Sequence, residues 1–586
     1  MLNNNLLNRT KHFAIYLLIF LLSACNGGSS GEAEPKLTPN NVPSAPNIAM
    51  NRATQGELFR ASLSATDADN DSLSFTKISG PNWLSVDGGN LLGTPTADDV
   101  GLSSVVIEVS DGKDTTQASI SITVVAVITD ERPNVIVFYA DDMGWGDVGY
   151  HGYDDIRTPN IDELAASGTT FNQGYVAASV CGPSRAGLVT GVHQQRFGYY
   201  GNGGVSHVPP SQPMIFEQLK KHDYQTAVVG KWHLGEEAGL PNSRGVDFFY
   251  GFHNGSHDYH VSDLVEGGKT SQAPIYRNGN VEPPIQDSKG YLTEMFSHEA
   301  ANFIDNANTT EPFFVYVAYN AVHAPWQVPQ EYLDRLADLQ VEDERKFFAG
   351  MILALDDGIG EVMDAVERKD ATDNTLVFFL SDNGTPRKHG FEKPKEKSRG
   401  TTTMSSPGPL NGFKGDSYEG GIRIPFLVSW PGKVPVAEYS DPVINLDIVP
   451  TIMARMGVTE PYAGLNFDGV DLFPFITGEE SGRPHEVMHW RRGEDYALRQ
   501  DDWKLTYNDQ SGSQRIMLFN LADDPGEWQD LSDAHPEQAQ TMQNMFDAWD
   551  SALPDNLNGA NTNPSNRNYE YSNGYRRSVS EWNAQQ

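Results

Sequence analysis

Three features of the sequence predict an α/β protein with a mostly parallel central sheet flanked by helices, an all-β domain before it and a small C-terminal α+β subdomain. The first is length: 586 residues exceed what one compact core usually holds, so at least two domains are expected. The second is a series of short, continuously apolar runs from Pro133 onward that alternate with helical patterns, which is how strands buried on both faces read. The third is a different style before that point, where apolar and polar residues alternate with period two.

Taken in order, residues 1–24 read as an export signal. Arg9 and Lys11 precede the apolar run from Phe13 to Leu22, which is too short to remain as a membrane-spanning helix. The run ends in Leu22-Ser23-Ala24-Cys25, which matches a bacterial lipobox, so Cys25 is expected to be lipidated and to anchor the chain to a membrane. Asn26 in the next position resembles the Gram-negative pattern for outer-membrane sorting, facing periplasm or cell surface. A plain signal peptide with a cysteine at its cleavage site is the alternative. Residues 25–42, rich in Gly, Ser, Pro and Glu, suit a solvated tether.

Residues 43–128 form the all-β segment: Phe59, Ala61, Leu63 and Ala65 alternate with polar residues, as do Ala118, Ile120, Ile122 and Val124. Through Asp67-Ala68-Asp69-Asn70-Asp71, Pro81-Asn82-Trp83-Leu84, Gly93-Thr94-Pro95 and Asp111-Gly112 it resembles the immunoglobulin-like and cadherin-like modules of bacterial surface proteins. It is read as a spacer or a substrate-binding accessory. The acidic cluster Asp67–Asp71 suits a solvated turn better than a calcium site.

Residues 132–470 carry the α/β pattern, with Val135–Ala140, Ala227–Val229, Phe313–Ala318, Leu376–Leu380 and Phe426–Trp430 as strands. Residues 471–554 make the C-terminal subdomain: Tyr496–Tyr507 and Ile516–Leu521 read as antiparallel strands. Met542, Met545, Phe546 and Trp549 share one helix face. The tail 555–586, rich in Asn, Ser and Tyr, receives no structural assignment.

With 78 Asp+Glu against 42 Lys+Arg, the formal charge of −36 excludes a general affinity for nucleic acid. An anionic substrate would need a local basic pocket, since more distant repulsion is screened within about 8 Å at physiological salt. The two cysteines, Cys25 and Cys181, do not suit a disulfide, which would tie a targeting segment to the middle of the chain.

Polar residues gather where strands end. Asp141-Asp142 follows the first strand, Gly230-Lys231-Trp232-His233 the second and Ser381-Asp382-Asn383 the fourth, and His323 lies a few residues beyond the third. In open α/β sheets ligands bind beyond the carboxyl ends of strands, so these loops converge on one candidate active site. Two aspartates and an Asp-Asn pair offer oxygen ligands, which suit calcium or magnesium better than zinc. Cys181-Gly182-Pro183-Ser184-Arg185 can start a helix, with the proline in its first turn. That places Cys181 at the positive end of the helix and suggests a reactive thiolate, a buried structural cysteine being the alternative.

The run Cys181-Gly182-Pro183-Ser184-Arg185 resembles the cysteine-type signature of the formylglycine sulfatases of the alkaline phosphatase superfamily. Similar stretches occur from Pro133 to about Leu531: Ala140–Asp147, Thr158–Asp162, Gly230–Gly235, Asn320–Pro325, Ser381–Gly384, Lys414 with Glu419–Arg423, and Leu521–Glu527. The resemblance implies a sulfuric ester hydrolase whose Cys181 is oxidised by a formylglycine-generating maturase, beside one divalent metal held by Asp141, Asp142, Asp382 and Asn383. It further implies that Arg185 steadies the aldehyde and that Lys231 and Lys414 grip the sulfate. His233 would then assist sulfate release, and His323, with Lys414, departure of the sugar or aryl oxygen. In such chemistry one hydroxyl of the aldehyde hydrate attacks sulfur and the other expels the bound sulfate. Cations around the transferring group stabilise its charge.

Val192 stands where the family often has arginine, a change expected to affect helix packing rather than chemistry. Ser256 and His257 resemble a family pair near the sulfate, with a looser alignment, and Trp326, Arg387, Lys388, His389 and Arg492 are candidates for substrate contacts, with solvated surface the alternative for each. Export, anchoring and an acidic surface suggest sulfated polysaccharide, such as a marine algal galactan or ulvan, as the substrate. The rivals are a promiscuous aryl sulfatase, a two-metal phosphate-ester hydrolase of the same superfamily, and a tethered glycan-binding protein with a degenerate enzyme domain. Asn383, where a zinc site would want histidine, and the two lysines favour the one-metal sulfatase.

Overall fold

The computed structural model describes residues 40–45, 48–96, 99, 101–125, 132–202, 208–260, 274–282, 290–386, 404–458, 465–508 and 515–554. The signal segment with Cys25, most of the tether, the residues Arg387, Lys388 and His389, and the tail 555–586 lie outside the described residues. The chain divides into two compact units, Met1–Val127 and Ile128–Gln586. No described helix is long and apolar enough to cross a membrane.

In the first unit, Thr115–Val125 pairs antiparallel with Gly101–Ser110 and parallel with Ile48–Thr54. Ser74–Ser79 completes that sheet, and Phe59–Ser62, Asn90–Gly93 and Leu84–Asp87 form a second. The period-two pattern has a direct cause: Ala118, Ile120, Ile122 and Val124 are all buried, while Ser119 and Ser121 between them are more exposed. Phe59, Leu84, Leu91, Val105 and Ile107 pack with them. In the acidic turn, Asp67 Oδ1 accepts the N–H groups of Asp69 and Asp71 at 3.0 Å each, and Lys113 Nζ lies 2.8 Å from Asp71. Those bonds close an Asx-type turn.

The second unit is built on a ten-stranded sheet. Its strands in chain order are β1 (Asn134–Ala140), β2 (Gly168–Phe171), β3 (Gln225–Lys231), β4 (Phe248–Phe252), β5 (Tyr276–Arg277), β6 (Asn280–Val281), β7 (Phe313–Ala318), β8 (Thr375–Ser381), β9 (Phe426–Ser429) and β10 (Ala437–Tyr439). Across the sheet they lie in the order β6-β5-β4-β3-β7-β1-β8-β9-β2-β10. The run β4-β3-β7-β1-β8 is parallel.

The continuous apolar runs arise because these strands are covered on both faces. In β1, Val135, Val137 and Tyr139 enter one core while Ile136, Phe138 and Ala140 enter the other. One face carries the helices α1 (Cys181–Thr190), α2 (Ile215–Lys221) and α5 (Ile448–Arg455); the other carries α3 (Leu292–Asn306) and α4 (Asp343–Arg368). The Phe426 strand, expected among the parallel ones, runs antiparallel to β8. A parallel neighbour needs a crossover that returns the chain to the start of the first strand. Here the chain turns back at the end of β8, and a mixed sheet results.

The C-terminal subdomain is a four-stranded antiparallel meander, β11 (Val487–Arg492), β12 (Asp495–Gln500), β13 (Trp503–Asn508) and β14 (Arg515–Asn520). It is covered by α6 (Pro536–Ser551). Met542 and Phe546 bury against Leu498, Leu505 and Leu518, with Met545 and Trp549 partly buried beside them. The sequence reading missed β11. Its Trp490 is fully buried and donates its indole N–H to the Val176 carbonyl at 2.6 Å, joining the meander to the core on one face of the ten-stranded sheet.

Candidate active site

Because β1, β3, β7 and β8 run parallel, their carboxyl ends meet at one edge. β1 delivers Asp141 and Asp142, β3 ends on Lys231, and β8 leads into Asp382 and Asn383. The loop after β7 is drawn to the same place by backbone bonds: Asp141 N–H donates to Ala321 O at 2.8 Å and Val322 N–H to Asp141 O at 2.7 Å. His323 follows, its backbone carbonyl accepting the Tyr259 hydroxyl at 2.9 Å. Asp142 has a positive φ of 65° and its N–H reaches Asp382 Oδ1 at 3.2 Å.

Cys181 is the first residue of α1, a helix whose ten residues are all buried and which ends at Gly191 in the left-handed conformation. Ser184, on the same helix, touches Tyr139 Oη at 3.1 Å and accepts from Asn445 Nδ2 at 3.2 Å. These contacts lock α1 against β1 and so fix where Cys181 points. Val192 is buried just beyond the helix and donates its N–H to Thr190 Oγ1 at 3.3 Å.

Around the Cys181 sulfur stand three carboxylates and three cations. Lys414 Nζ lies 3.0 Å from Sγ and 2.5 Å from Asp142 Oδ1, and Asp141 Oδ1 is 3.5 Å from Sγ. Lys231 Nζ pairs with Asp141 Oδ2 at 2.6 Å. Arg185 donates from Nε to Asp382 Oδ2 at 3.0 Å and from a terminal nitrogen to the Lys231 carbonyl at 3.3 Å. Asn383 Nδ2 donates to Asp142 Oδ1 at 2.8 Å. His323 Nδ1 faces the Ala324 carbonyl at 2.6 Å, which leaves Nε2 towards Asp142 Oδ2 at 3.7 Å.

Burial sets the protonation states. Burial, then the Asp382 charge, push the Cys181 thiol up to about 12, against the pull of Lys231 and Lys414. The thiolate that the helix position alone suggested is therefore overruled: position 181 carries a neutral thiol. Burial also acts to raise the Asp382 carboxyl, but Arg185 and Lys231 overcome it and hold the group below its ordinary value. Lys414 behaves in the mirror sense, held well above its ordinary value by Asp142 and its neighbours despite burial. Burial and the adjacent Lys231 and Arg185 charges push His233 well below its ordinary value, so its imidazole is neutral at physiological pH.

The donor set fits a hard divalent cation. Ligand atoms of Asp141, Asp142, Cys181 and His323 lie within 4.8 Å of one another. Among the described residues the Asn383 carboxamide oxygen is buried without a hydrogen-bond partner, an oxygen donor left for a cation.

Other expected residues lie further out. Ser256 is exposed, in the loop where Gly255 lies over the His233 ring; a Cβ on Gly255 would sit 2.8 Å from His233 Cε1. His257 is buried, its ring 5.1 Å from that of Phe252 and its Nδ1 2.8 Å from the Asp258 carbonyl. Arg492 donates to Gly415 O at 2.9 Å, beside Lys414. Trp326 is half-buried against the α3–α4 side of the sheet.

Sequence reasoning did not single out the supports of this centre. Lys504, fully buried, pairs with Glu419 at 2.7 Å and Glu527 at 2.8 Å. Glu527 accepts the Glu419 N–H at 2.8 Å. The turn Glu419–Ile422 in turn packs on Gly384, whose N–H donates to Gly421 O at 3.0 Å, directly after Asn383. The signals were present in Glu419-Gly420-Gly421 and in the stretch ending at Glu527, but only the fold shows that they share a lysine.

Comparison with known proteins agrees with this architecture. A family model described as Sulfatase matches residues 133–458, and one described as N-sulphoglucosamine sulphohydrolase, C-terminal, matches 414–551. An Ig-domain model matches residues 41–125. Human N-acetylgalactosamine-6-sulfatase is 30% identical over 463 residues, spanning 70% of this chain and 84% of that one. Arylsulfatase G of Rattus norvegicus is 30% identical over 467 residues, 70% of this chain and 85% of its own. The crystal structure of Ps i-CgsB superposes with a TM-score of 0.64 at 34% identity, covering 73% of this chain and 94% of the other. The same protein in complex with k-i-k-neocarrahexaose gives 0.63, with the same identity and coverage. The chain belongs to the sulfatase family, the formylglycine-type sulfatases of the alkaline phosphatase superfamily. It is an enzyme, a sulfuric ester hydrolase.

Proposed function

We propose that this enzyme removes sulfate from sulfated carbohydrate, with position 181 oxidised from cysteine to formylglycine and one calcium ion held by Asp141, Asp142, Asp382 and Asn383. The observation that carries the reading is the cluster itself: a buried Cys181 ringed by Lys231, Lys414 and Arg185 and backed by oxygen donors. The hydrated aldehyde would supply the attacking oxygen, and the cation would stabilise charge on the sulfate oxygens.

The chain's own residues do the rest. Lys231, paired with Asp141, and Lys414, 3.0 Å from the sulfur of position 181, bind and orient the peripheral oxygens of the ester with their ammonium groups. Arg185, locked on Asp382, holds the base of the site rigid. His233, neutral and buried, accepts a proton from a hydroxyl at position 181 when sulfate leaves. His323, its Nδ1–H held by the Ala324 carbonyl, acts as the imidazolium, giving its Nε2 proton to the departing alcohol oxygen and remaining as the neutral Nδ1–H ring. Cys181 is only 1% exposed, so the maturase meets this segment before the fold closes.

Carbohydrate as substrate rests on the relatives, which include a structure holding a neocarrahexaose. Export, a lipid anchor at Cys25 and an outer-membrane location complete the proposal, as does external algal polysaccharide as the source of substrate. A screen of sulfated oligosaccharides for released sulfate tests it. Turnover of at least one oligosaccharide is expected; turnover confined to small aryl sulfates would overturn the carbohydrate reading.

A further inference from the structure

Among the described residues of the second unit, the arginines are, with few exceptions, held by acids. Arg491 pairs with Asp550, Arg345 with Asp147 and Asp155, Arg277 with Glu282 and Glu299, and Arg483 with Asp441 and Asp502. That is the expected state of a chain with nearly twice as many acids as bases. Arg492 differs. Among the described residues no carboxylate lies within ion-pair distance of it, and its one hydrogen bond runs from a terminal nitrogen to the Gly415 carbonyl at 2.9 Å. The side chain is half-buried, so the guanidinium is partly withdrawn from water with most of its five donors unspent.

Its location gives this meaning. Gly415 follows Lys414, whose ammonium touches the Cys181 sulfur, and the Gly415 N–H donates to Ser179 O, two residues before Cys181. The Gly415 backbone thus joins the segment that carries the nucleophile position, the lysine beside it and the guanidinium of Arg492. The position requires glycine: its φ is +90°, and a Cβ there would sit 2.4 Å from the Arg492 guanidinium nitrogen. The close approach clamps a cation of planar, forked geometry at the flank of the sulfate centre, on β11 of the C-terminal subdomain.

We propose that Arg492 is a specificity-determining residue that binds a second anionic group, a sulfate or carboxylate, carried by the same glycan as the scissile sulfate. The inference rests on the sulfatase reading of the site and narrows its substrate class to glycans with at least two neighbouring anions. A guanidinium with free donors binds such a group bidentately, and in a half-buried place a charge-assisted contact of this kind is worth roughly 10- to 100-fold in affinity. A purely structural role would need only the contact to Gly415, which a lysine can also make.

The test compares kcat/KM for two neocarrabiose probes, one bearing a single sulfate and one bearing two, with 4-nitrophenyl sulfate as a single-anion control. Wild-type enzyme is expected to prefer the disulfated probe. In Arg492→Met the ratio of disulfated to monosulfated kcat/KM falls at least tenfold, through KM, and Arg492→Lys retains part of the ratio. An unchanged ratio in Arg492→Met, whether both rates fall together or neither does, overturns the proposal, as does a wild type without preference for the second anion. Absence of turnover on all three probes overturns the hydrolase reading and this one with it, whereas turnover without discrimination overturns this one alone.

Discussion

Replacing Lys504 by methionine is expected to destabilise the catalytic unit and to disturb chemistry at a site that Lys504 does not touch. Lys504 is fully buried and is the cation for Glu419 at 2.7 Å and Glu527 at 2.8 Å, both themselves buried. Methionine fills a similar volume but leaves two carboxylates facing each other in the interior. Removing one partner of a buried ion pair costs about 3–5 kcal/mol, because the stranded charge has lost its solvation without compensation. Here the stranded charge is that of Glu419, since Glu527, its carboxyl already pushed up to about 7 by burial, takes up a proton once the lysine is gone; Arg423 at 3.5 Å from Glu419 and the Tyr175 hydroxyl donating to it at 2.6 Å limit the loss. The Glu419–Ile422 turn lies between the Lys414 loop and Gly384, so its displacement loosens Lys414 and Asn383 together and lowers kcat. The assay is thermal unfolding alongside sulfate release, for Lys504→Met and for the triple variant that adds Glu419→Gln and Glu527→Gln. The single variant is expected to melt several degrees lower, and the triple to recover part of the loss because no charge is stranded. A single variant melting with the wild type, or a triple melting no higher than the single, would refute the reasoning.

Three further outcomes follow from the same geometry. Asp141→Ala should lose the bound divalent metal and activity together, by more than about 100-fold in kcat/KM, while the N-terminal unit keeps its own melting transition; elemental analysis alongside kinetics checks this. Burial, then the neighbouring Glu419 charge, push the Glu527 carboxyl up to about 7 despite Lys504. The folded state therefore binds that proton more tightly than the unfolded one, and its stabilisation is complete below about pH 4.5 and lost as pH rises through about 7. Glu527→Gln should accordingly flatten the fall of melting temperature across that window, and an unchanged slope would contradict it. Gly415→Ala should raise KM through its clash with Arg492, measured by steady-state kinetics on a sulfated oligosaccharide; an unaltered KM would show that the contact is dispensable.

Much of this architecture could be read from residues alone, for reasons specific to each element. Strands such as β1 and β8, apolar on both faces, could belong only to a sheet covered twice, and the polar residues after them marked the edge where ligands bind. The alternating Ala118, Ile120, Ile122 and Val124 gave the N-terminal sheet its register because only one face is buried. The antiparallel turn of β9 was illegible, since an apolar run carries no strand direction. So was β11, in which only Met488 and Trp490 take the buried positions and whose Trp490 contacts a residue more than 300 positions earlier. Position at a helix start suggested a thiolate at Cys181; the depth of burial and the Asp382 charge, both products of the tertiary fold, reverse that. The support Lys504 was likewise hidden, because a lysine inside a strand looks solvated until its partners are in place.

The central claim is that Cys181 is the precursor of an aldehyde rather than a working thiol. The direct measurement is the mass of the peptide spanning Cys181, taken from active enzyme purified from its native host and treated in parallel with a carbonyl-specific hydrazide. Formylglycine in place of cysteine, with hydrazide captured at that residue, is the result the account predicts. A fully unmodified thiol at position 181 in enzyme that hydrolyses sulfate esters would contradict it.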